Sequence, residues 1–148
     1  MSAQDIFEIQ NLLYEYCWLV DSGDFEGVAE LLKHADVFYD GKPGFSKSPE
    51  GYLKTMRPII KYEDGTPKTM HMCVNPQITI GEDGQTASAR SYLVVTQGIT
   101  GQVLPRIIWM DRKFDTFVKL DGKWVYATRN NCTHAMGDAS AQIKGFKV

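Results

Sequence analysis

The chain has no apolar run close to the roughly 18–20 residues that a membrane-spanning helix needs, so we expect no membrane span. It also has no basic stripe, because its 16 lysines and arginines and 18 aspartates and glutamates are scattered and give a net charge of −2. We therefore expect neither nucleic acid nor an anionic membrane among its partners. The segment "MSAQDIFEIQ" is acidic and amphipathic, which is unlike a secretory signal.

Cysteine is scarce, and the three cysteines are Cys17, Cys73 and Cys132. They cannot all pair with one another and form no disulfide framework, so we expect free thiols and a cytoplasmic location. The sequence also lacks a glycine-rich phosphate loop and a nucleophile elbow. These absences argue against the nucleotide-binding and serine-hydrolase classes that depend on those motifs.

The first half of the sequence contains helix signals. Apolar residues at helical spacing predict a first helix over residues 3–20. Gly23 is expected to follow its end in a left-handed conformation, and Asp24 is expected to cap the start of a second helix. A short strand closed by a turn, "ADVFYDG", comes next, and Ser48 followed by Pro49 predicts the start of a third helix.

The second half changes to the period of two that is typical of strands. The predicted strands cover residues 69–80, 86–97, 103–120 and 123–134. Asp83-Gly84 and Asp121-Gly122 predict two-residue hairpin turns, in which both residues need a positive φ. The order of elements predicts one α+β domain over residues 1–148, in which three N-terminal helices pack on a strongly curled antiparallel sheet.

Asp21 has no evident structural role. A carboxylate in the last turn of a helix meets the negative end of the helix dipole, which is unfavourable. Asp24 is better placed to cap the next helix, although a local turn around Asp21 is also consistent with the sequence. The sequence therefore leaves both a local turn and a functional role open for Asp21.

His71 lies on the first of the long predicted strands. Strict alternation places it on one face with Thr69, Cys73, Asn75, Gln77 and Thr79, opposite Met70, Met72, Val74, Ile78 and Ile80. The face of His71 either meets solvent or, in a curled sheet, lines a pocket. In a pocket, Asp21 could accept the Nδ1 proton of His71 and leave Nε2 as a base near neutral pH. Such a pair could remove a proton next to a carbonyl, provided another group stabilises the oxyanion.

Other side chains could contact a substrate in such a pocket. Tyr14, Tyr16 and Tyr39 carry hydroxyls that could stabilise an oxyanion, although tyrosines at helical spacing often pack in a core. Asn75 shares the predicted face of His71, and Trp109 has the parity of residues that could face a cavity. Arginines and aspartates on the late strands are expected to be solvated or paired with one another, namely Arg112, Arg129, Asp111 and Asp115.

A metal site is the main alternative chemistry. His71 with Cys73, and Cys132 with His134, each place two zinc-type ligands on one strand face. Zinc knuckles usually space their cysteines more widely, and the two predicted strands need not be neighbours. We therefore predict no metal.

Four segments carry a family resemblance, in the order "LVDSGDFEGVAELL", "SPEGYL", "TMHMCVNPQITI" and "FVKLDGKWVYATR". The chain resembles the SnoaL-like branch of the nuclear-transport-factor-like superfamily over nearly its full length. It is most similar there to scytalone dehydratase, bile-acid dehydratase and lindane dehydrochlorinase. The resemblance implies a cone-shaped α+β fold in which Asp21 and His71 form a catalytic pair.

The resemblance also implies roles for Tyr16 and Tyr39, which match active-site tyrosines of the dehydratases. Val20 stands in the place of a second tyrosine of scytalone dehydratase, whose second histidine has no counterpart on the strand over 86–97. The late-strand arginine of the bile-acid enzyme has no clear match, although Arg129 lies nearby. A homo-oligomer is implied, with a trimer favoured and a dimer as the alternative.

These observations predict a cofactor-free lyase that resembles a dehydratase. His71 would remove a proton next to the carbonyl of a small, mostly apolar cyclic substrate, and Asp21 would orient the imidazole. Protonated His71 could then pass its proton to a departing hydroxyl. Two alternatives are an isomerase of the ketosteroid-isomerase type and a non-catalytic assembly subunit like the small subunit of ring-hydroxylating dioxygenases.

Overall fold

The structure is a computed structural model that describes residues 2–147. Its helices are α1 (Ala3–Asp21), α2 (Phe25–Leu31) and α3 (Pro49–Met56). Its strands are β1 (Asp36–Tyr39), β2 (Lys42–Ser46), β3 (Thr69–Ile80), β4 (Thr86–Ile99), β5 (Val103–Leu120) and β6 (Lys123–Met136). The three predicted helices and the four long predicted strands are therefore confirmed, and β2 is an additional strand that the sequence did not predict.

Side-chain caps explain where the helices begin. Asp24 accepts a hydrogen bond from the backbone N–H of Gly27 at 2.8 Å, and Ser48 accepts one from Gly51 at 2.9 Å. Each cap satisfies a backbone donor that a helix start would otherwise leave unpaired. Gly23 has the predicted left-handed φ of +76°, and a Cβ there would lie 2.2 Å from the carbonyl oxygen of Gly65. Only glycine fits this bend between α1 and α2.

The six strands form one curved sheet in the order β2-β1-β6-β5-β4-β3. The four long strands pair antiparallel in sequence order, as predicted. β1 instead runs parallel to β6, with Val37 opposite Arg129. The sheet is therefore mixed, which corrects the prediction of a purely antiparallel sheet, while the α+β class with a curved sheet against three helices is confirmed. Parallel pairing follows because the chain crosses the molecule between β1 and β6 instead of turning back in a hairpin.

A bulge in β3 corrects the predicted strand faces. The pairing of β3 with β4 shifts register between Val74 and Gln77, and Asn75 has a φ of +53°. An extra residue in one strand reverses the alternation beyond it. His71 and Cys73 therefore point to the same inner side as Ile78 and Ile80, although strict alternation had placed them on opposite faces.

The two predicted hairpin turns have different outcomes. Asp121 and Gly122 have φ values of 50° and 76°, so the two-residue turn between β5 and β6 is confirmed. The β3–β4 connection is longer than predicted and spans residues 81–85, and of the pair only Gly84 has a positive φ. Asp83 instead accepts hydrogen bonds from the backbone N–H groups of Gln85 and Thr86. Its side chain thus closes a wider turn.

The main core lies between the helices and one half of the sheet. Its buried members come from α1, α2, α3 and the strands, and include Leu13, Val28, Tyr52, Ile80, Phe117 and Tyr126. A second buried apolar cluster includes Leu93, Val95 and Ile108, and two of these residues, Leu93 and Val95, also line a cavity.

Candidate active site

Asp21 and His71 meet where the end of α1 crosses the start of β3. The Nδ1 atom of His71 lies 2.6 Å from Oδ1 of Asp21. The backbone N–H of His71 donates to Oδ2 at 2.7 Å, and the hydroxyl of Thr69 donates to Oδ1 at 2.8 Å. Three donors from one short strand segment therefore hold the carboxylate, which offsets its unfavourable position at the negative end of a helix.

The Asp21–His71 pair is largely shielded from solvent. The side chains of His71 and Asp21 are 7% and 18% exposed. His71 lines an internal cavity, whereas Asp21 does not. Since Nδ1 is occupied by Asp21, Nε2 is the ring nitrogen that remains available to a substrate. This is the arrangement that a general base requires, with one nitrogen oriented by a carboxylate and the other directed at a substrate.

The cavity has a volume of about 330 Å³, which is within the usual range for small-molecule sites. Its apolar wall includes Leu32, Val37, Leu93, Val95 and Ile143. Its polar wall, besides His71, includes Tyr16, Tyr39, Tyr52, Trp109, Asp111, Arg129 and Asn131. A mostly apolar pocket with a few convergent polar groups suits a small cyclic molecule that carries oxygen.

Tyr16 connects His71 to a buried cation. Its ring lies edge-on to the ring of His71, with centroids 6.3 Å apart, and the Cζ atom of Arg129 lies 3.5 Å from the Tyr16 centroid. Burial raises the pKa of Tyr16 to about 12, so its hydroxyl keeps its proton and can donate it in a hydrogen bond. Arg129 therefore places its positive charge over the face of the Tyr16 ring.

Tyr39 lies at the mouth of the same cavity and is 39% exposed. Burial of the hydroxyl raises the pKa of Tyr39. Trp109 also lines the cavity, and its indole N–H donates to Oδ1 of Asp111 at 2.6 Å. The structure therefore brings together Asp21, His71, Tyr16, Tyr39 and Trp109, which were all predicted as site residues.

Two predicted substrate contacts are corrected. Tyr14 is on the outer side of α1, is 38% exposed and lines an outer groove with Trp18 and Met70 instead of the cavity. Asn75 is the bulged residue of β3 and points away from the cavity, because the bulge interrupts the alternation that its assignment assumed. Neither residue lines the cavity, although Tyr14 shares the outer groove with His71 and Asp21.

The inner faces of β5 and β6 carry buried charges that the sequence analysis missed. Asp111, Lys113, Asp115 and Arg129 are all buried, so Arg129 is not a solvated residue. Arg129 is opposite Asp115 in the register of β5 and β6, but within residues 2–147 no nitrogen of Arg129 lies within 4.0 Å of a carboxylate oxygen. Burial opposes the charge on Arg129, but Asp115, together with Tyr16, Tyr126 and Cys17, raises the arginine pKa overall. Burial, with Arg129, lowers the pKa of Lys113 to about 7.

A second bulge explains why Arg129 was missed. The register of β5 with β6 shifts between Thr116 and Phe117, which leaves Ala127 as an extra residue on β6. Tyr126 faces inward before the bulge, and Arg129 faces inward after it. Simple alternation from Tyr126 would have turned Arg129 outward. The spacing of Asp111, Lys113 and Asp115 by two residues was the one signal that a charged inner face was present.

The zinc alternative is not supported. The strands β3 and β6, which carry the two proposed ligand pairs, are separated by β4 and β5. Within residues 2–147, no group of three or more histidine, cysteine, aspartate or glutamate side chains could hold a metal ion. Among the helices of this same part of the chain, none has the length and hydrophobicity that a membrane crossing requires.

Comparison with known proteins decides the family. A family model described as a SnoaL-like domain matches residues 1–130. The chain belongs to the SnoaL-like domain family. The resemblance drawn from the sequence motifs is therefore confirmed. No curated protein matches the sequence of this SnoaL-like domain.

Solved structures share the SnoaL-like fold. A candidate scytalone dehydratase from Novosphingobium aromaticivorans is 23% identical, with a TM-score of 0.71 over 90% of this chain and 87% of that chain. An NTF2-like protein with a cystatin-like fold from the same organism is 23% identical, with a TM-score of 0.68 over 93% and 86%. A hexachlorocyclohexane dehydrochlorinase, LinA Type2, is 16% identical, with a TM-score of 0.69 over 98% and 93%. At these identities the likeness establishes the fold and not the reaction.

Proposed function

We propose that this SnoaL-like domain is a cofactor-free lyase that acts on a small, mostly apolar cyclic substrate bearing a carbonyl. The observation that carries the proposal is the 2.6 Å contact between His71 Nδ1 and Asp21 beside a cavity that His71 lines. The shared fold with structures named for dehydration and dehydrochlorination supports the same class.

In the proposed first step, Nε2 of His71 removes a proton from the carbon next to the carbonyl. Asp21 keeps the imidazole oriented and stabilises the imidazolium that forms. The hydroxyl of Tyr16 or Tyr39 donates to the developing enolate oxygen, and the positive charge of Arg129 favours the same anion. The bond from the next carbon to its hydroxyl oxygen then breaks, the oxygen takes up a proton from an acidic group of the site, and water leaves.

Two alternatives are separated by different observations. An assembly subunit would be expected to have a filled interior, and the cavity of about 330 Å³ argues against that function. A ketosteroid-isomerase-like activity shares the same proton removal and differs only in where the proton returns. It is distinguished by its product, which is a shifted double bond without release of water.

Asp21→Asn tests the proposal. The amide keeps the shape of the side chain but cannot hold the imidazole in the same tautomer, so turnover of a β-hydroxy ketone should fall by orders of magnitude. Turnover is measured by ultraviolet absorbance of the conjugated product, using a panel of one-ring and two-ring substrates. Undiminished turnover in a folded Asp21→Asn variant would contradict the proposed mechanism.

Asp24→Asn is the matched control. It makes the same substitution three residues away, at a position where asparagine caps a helix about as well as aspartate. Its turnover should equal that of the wild type. Circular dichroism and thermal unfolding confirm that both variants are folded.

We also propose that the protein is a cytoplasmic homo-oligomer, with a trimer favoured over a dimer. Large apolar side chains are exposed on the outer face of the sheet and beside α1, including Trp18, Met70, Val74, Tyr92 and Phe114. Exposed apolar groups of this extent are typical of protein interfaces. Light scattering after gel filtration measures the mass, and a monomer at micromolar concentration would contradict the proposal.

A further inference from the structure

Asp111 is a second carboxyl group in the wall of the cavity, and the proposed first step does not use it. It is 7% exposed and lines the cavity together with His71. One of its oxygens accepts the indole N–H of Trp109 at 2.6 Å. Among residues 2–147, no lysine, arginine or histidine nitrogen lies within 4.0 Å of it, so its charge has no direct partner.

The sheet register shows how far Asp111 is from His71 within the sheet, and both residues line the cavity. His71 is opposite Val95 on β4, and Val95 is opposite Trp109 on β5. Asp111 is therefore two strands away from His71 and one inward-facing position further along β5. Two strand spacings correspond to roughly 10 Å between backbones. Both side chains line the same cavity of about 330 Å³, so one small ring bound there can contact both.

We propose that Asp111 is the acid that protonates the departing hydroxyl, so that acid and base are two different groups of the same cavity. This inference rests on the lyase proposed above. Nε2 of His71 takes the proton as the C–H bond breaks, and its electron pair becomes the new carbon–carbon double bond. The bond from the next carbon to oxygen breaks, the oxygen receives the Asp111 proton, and water leaves. Proton transfer from the imidazolium to the Asp111 carboxylate, through solvent, restores both groups.

The surroundings of Asp111 favour the protonated form that this role requires. Burial raises the pKa of Asp111, while the hydrogen bond from Trp109 and the nearby Lys113 lower it, and the net shift is upward. Lys113 compensates weakly because its own pKa is about 7. The titratable or charged groups around Asp111 are Lys113 on β5, Arg129 on β6, His71 on β3, Tyr16 on α1, Tyr52 on α3, Tyr39 on β1 and Asp40 in the turn after it.

Two related ketones distinguish the function of Asp111 from that of the Asp21–His71 pair. Deuterium uptake from D₂O at the α carbon of 2-tetralone requires the base alone, because this ketone has no hydroxyl to lose. Loss of water from 4-hydroxy-2-tetralone, which gives 2-naphthol, requires both groups. The first is followed by NMR and the second by naphthol fluorescence.

Asp111→Asn should keep deuterium uptake within about threefold of the wild type and lower naphthol formation by at least about 100-fold, the usual contribution of a general acid. Asn retains an oxygen that accepts the Trp109 N–H, so the fold should be preserved. An equal fall in both rates, or no fall in naphthol formation, would overturn the role of Asp111. Absence of deuterium uptake in the wild type would instead overturn the dyad proposal on which the inference rests.

The pH profile gives a second, independent readout. Trp109→Phe removes the N–H that stabilises the charged carboxylate, so the pKa of Asp111 should rise further. The acid must be protonated to act, and the alkaline limb of naphthol formation should therefore move to higher pH. The limb should be missing in Asp111→Asn. If the alkaline limb of naphthol formation stays at the wild-type pH in both Trp109→Phe and Asp111→Asn, the proposal is contradicted.

Discussion

Two regions of the sheet interior hold ionisable groups in different ways. The first wall is formed by α1 and β3, and the second wall is formed by β5 and β6. On the α1–β3 wall, one carboxylate accepts three hydrogen bonds, from Thr69 and His71, at distances of 2.6–2.8 Å. On the β5–β6 wall, two acids and two bases are buried side by side with few direct contacts. The pKa of Lys113 is lowered to about 7 there, and the pKa of Asp111 is raised.

The two walls therefore contribute to a reaction differently, the first through geometry and the second through charge. The first wall orients the proton acceptor, His71, through short charge-assisted hydrogen bonds to the Asp21 carboxylate. The second wall carries buried charges, of which Asp111 and Arg129 line the cavity. Buried charges interact strongly because little water screens them. Substitutions on the first wall should therefore change rates, and substitutions on the second should also change stability.

Arg129→Gln should have the largest effect on stability. It removes the cation that lies across from the buried Asp115. Breaking a direct buried ion pair typically costs about 3–5 kcal/mol of the free energy of unfolding, so the loss here should reach that range at most. Urea unfolding measures the loss. The double variant with Asp115→Asn should recover part of it, because the orphaned charge is removed as well. If Arg129→Gln has the same free energy of unfolding as the wild type, the charge of Arg129 does not stabilise that of Asp115.

Lys113 should make stability depend on pH. Its pKa is about 7 in the fold and near 10.5 in the unfolded chain, so between these values the unfolded state binds more protons. The free energy of unfolding should therefore rise with pH across this window, by up to about 1.4 kcal/mol per unit, and the full cost of burial applies below pH 7.

Lys113→Met removes this titration, and urea unfolding at several pH values between 7 and 10 should show a flatter dependence than the wild type. Lys123→Met is the control, because Lys123 is exposed on the neighbouring strand. It should leave the slope of the wild type unchanged. Equal slopes in all three proteins would contradict the assignment of the titration to Lys113.

Thr69→Val should have the smallest effect and should act on the first wall alone. It removes one donor to Asp21 while preserving the shape of the side chain, so turnover should fall by about tenfold and stability by about 1 kcal/mol. Thr69→Ser keeps the hydroxyl and should retain most of the rate. Equal turnover in Thr69→Val and the wild type would mean that His71 alone orients the carboxylate.

Local signals in the sequence predicted the first wall well. The caps at Asp24 and Ser48, the bend at Gly23 and the long strands all depend on near neighbours, and they set the end of α1 beside the start of β3. The meeting of Asp21 with His71 was predicted from the family resemblance, because no local pattern joins residues 50 positions apart.

The second wall was largely missed for physical reasons. The bulges at Asn75 and Ala127 each add one residue and reverse the faces beyond it, and an alternating pattern carries no mark of such an insertion. The parallel pairing of β1 with β6 joins distant segments, and the short β2 has little periodicity. Arg129 and the pocket position of Asp111 depend on these long-range features.

The tautomer of His71 tests the central claim most directly, because it needs no substrate. Nitrogen-15 NMR of the three histidines, with His71 assigned by its loss in His71→Gln, shows which ring nitrogen carries the proton in the neutral form. We predict a protonated Nδ1 and an unprotonated Nε2 in the wild type, and loss of this preference in Asp21→Asn. A proton on Nε2 in the wild type would contradict the account, since no base would then face the cavity.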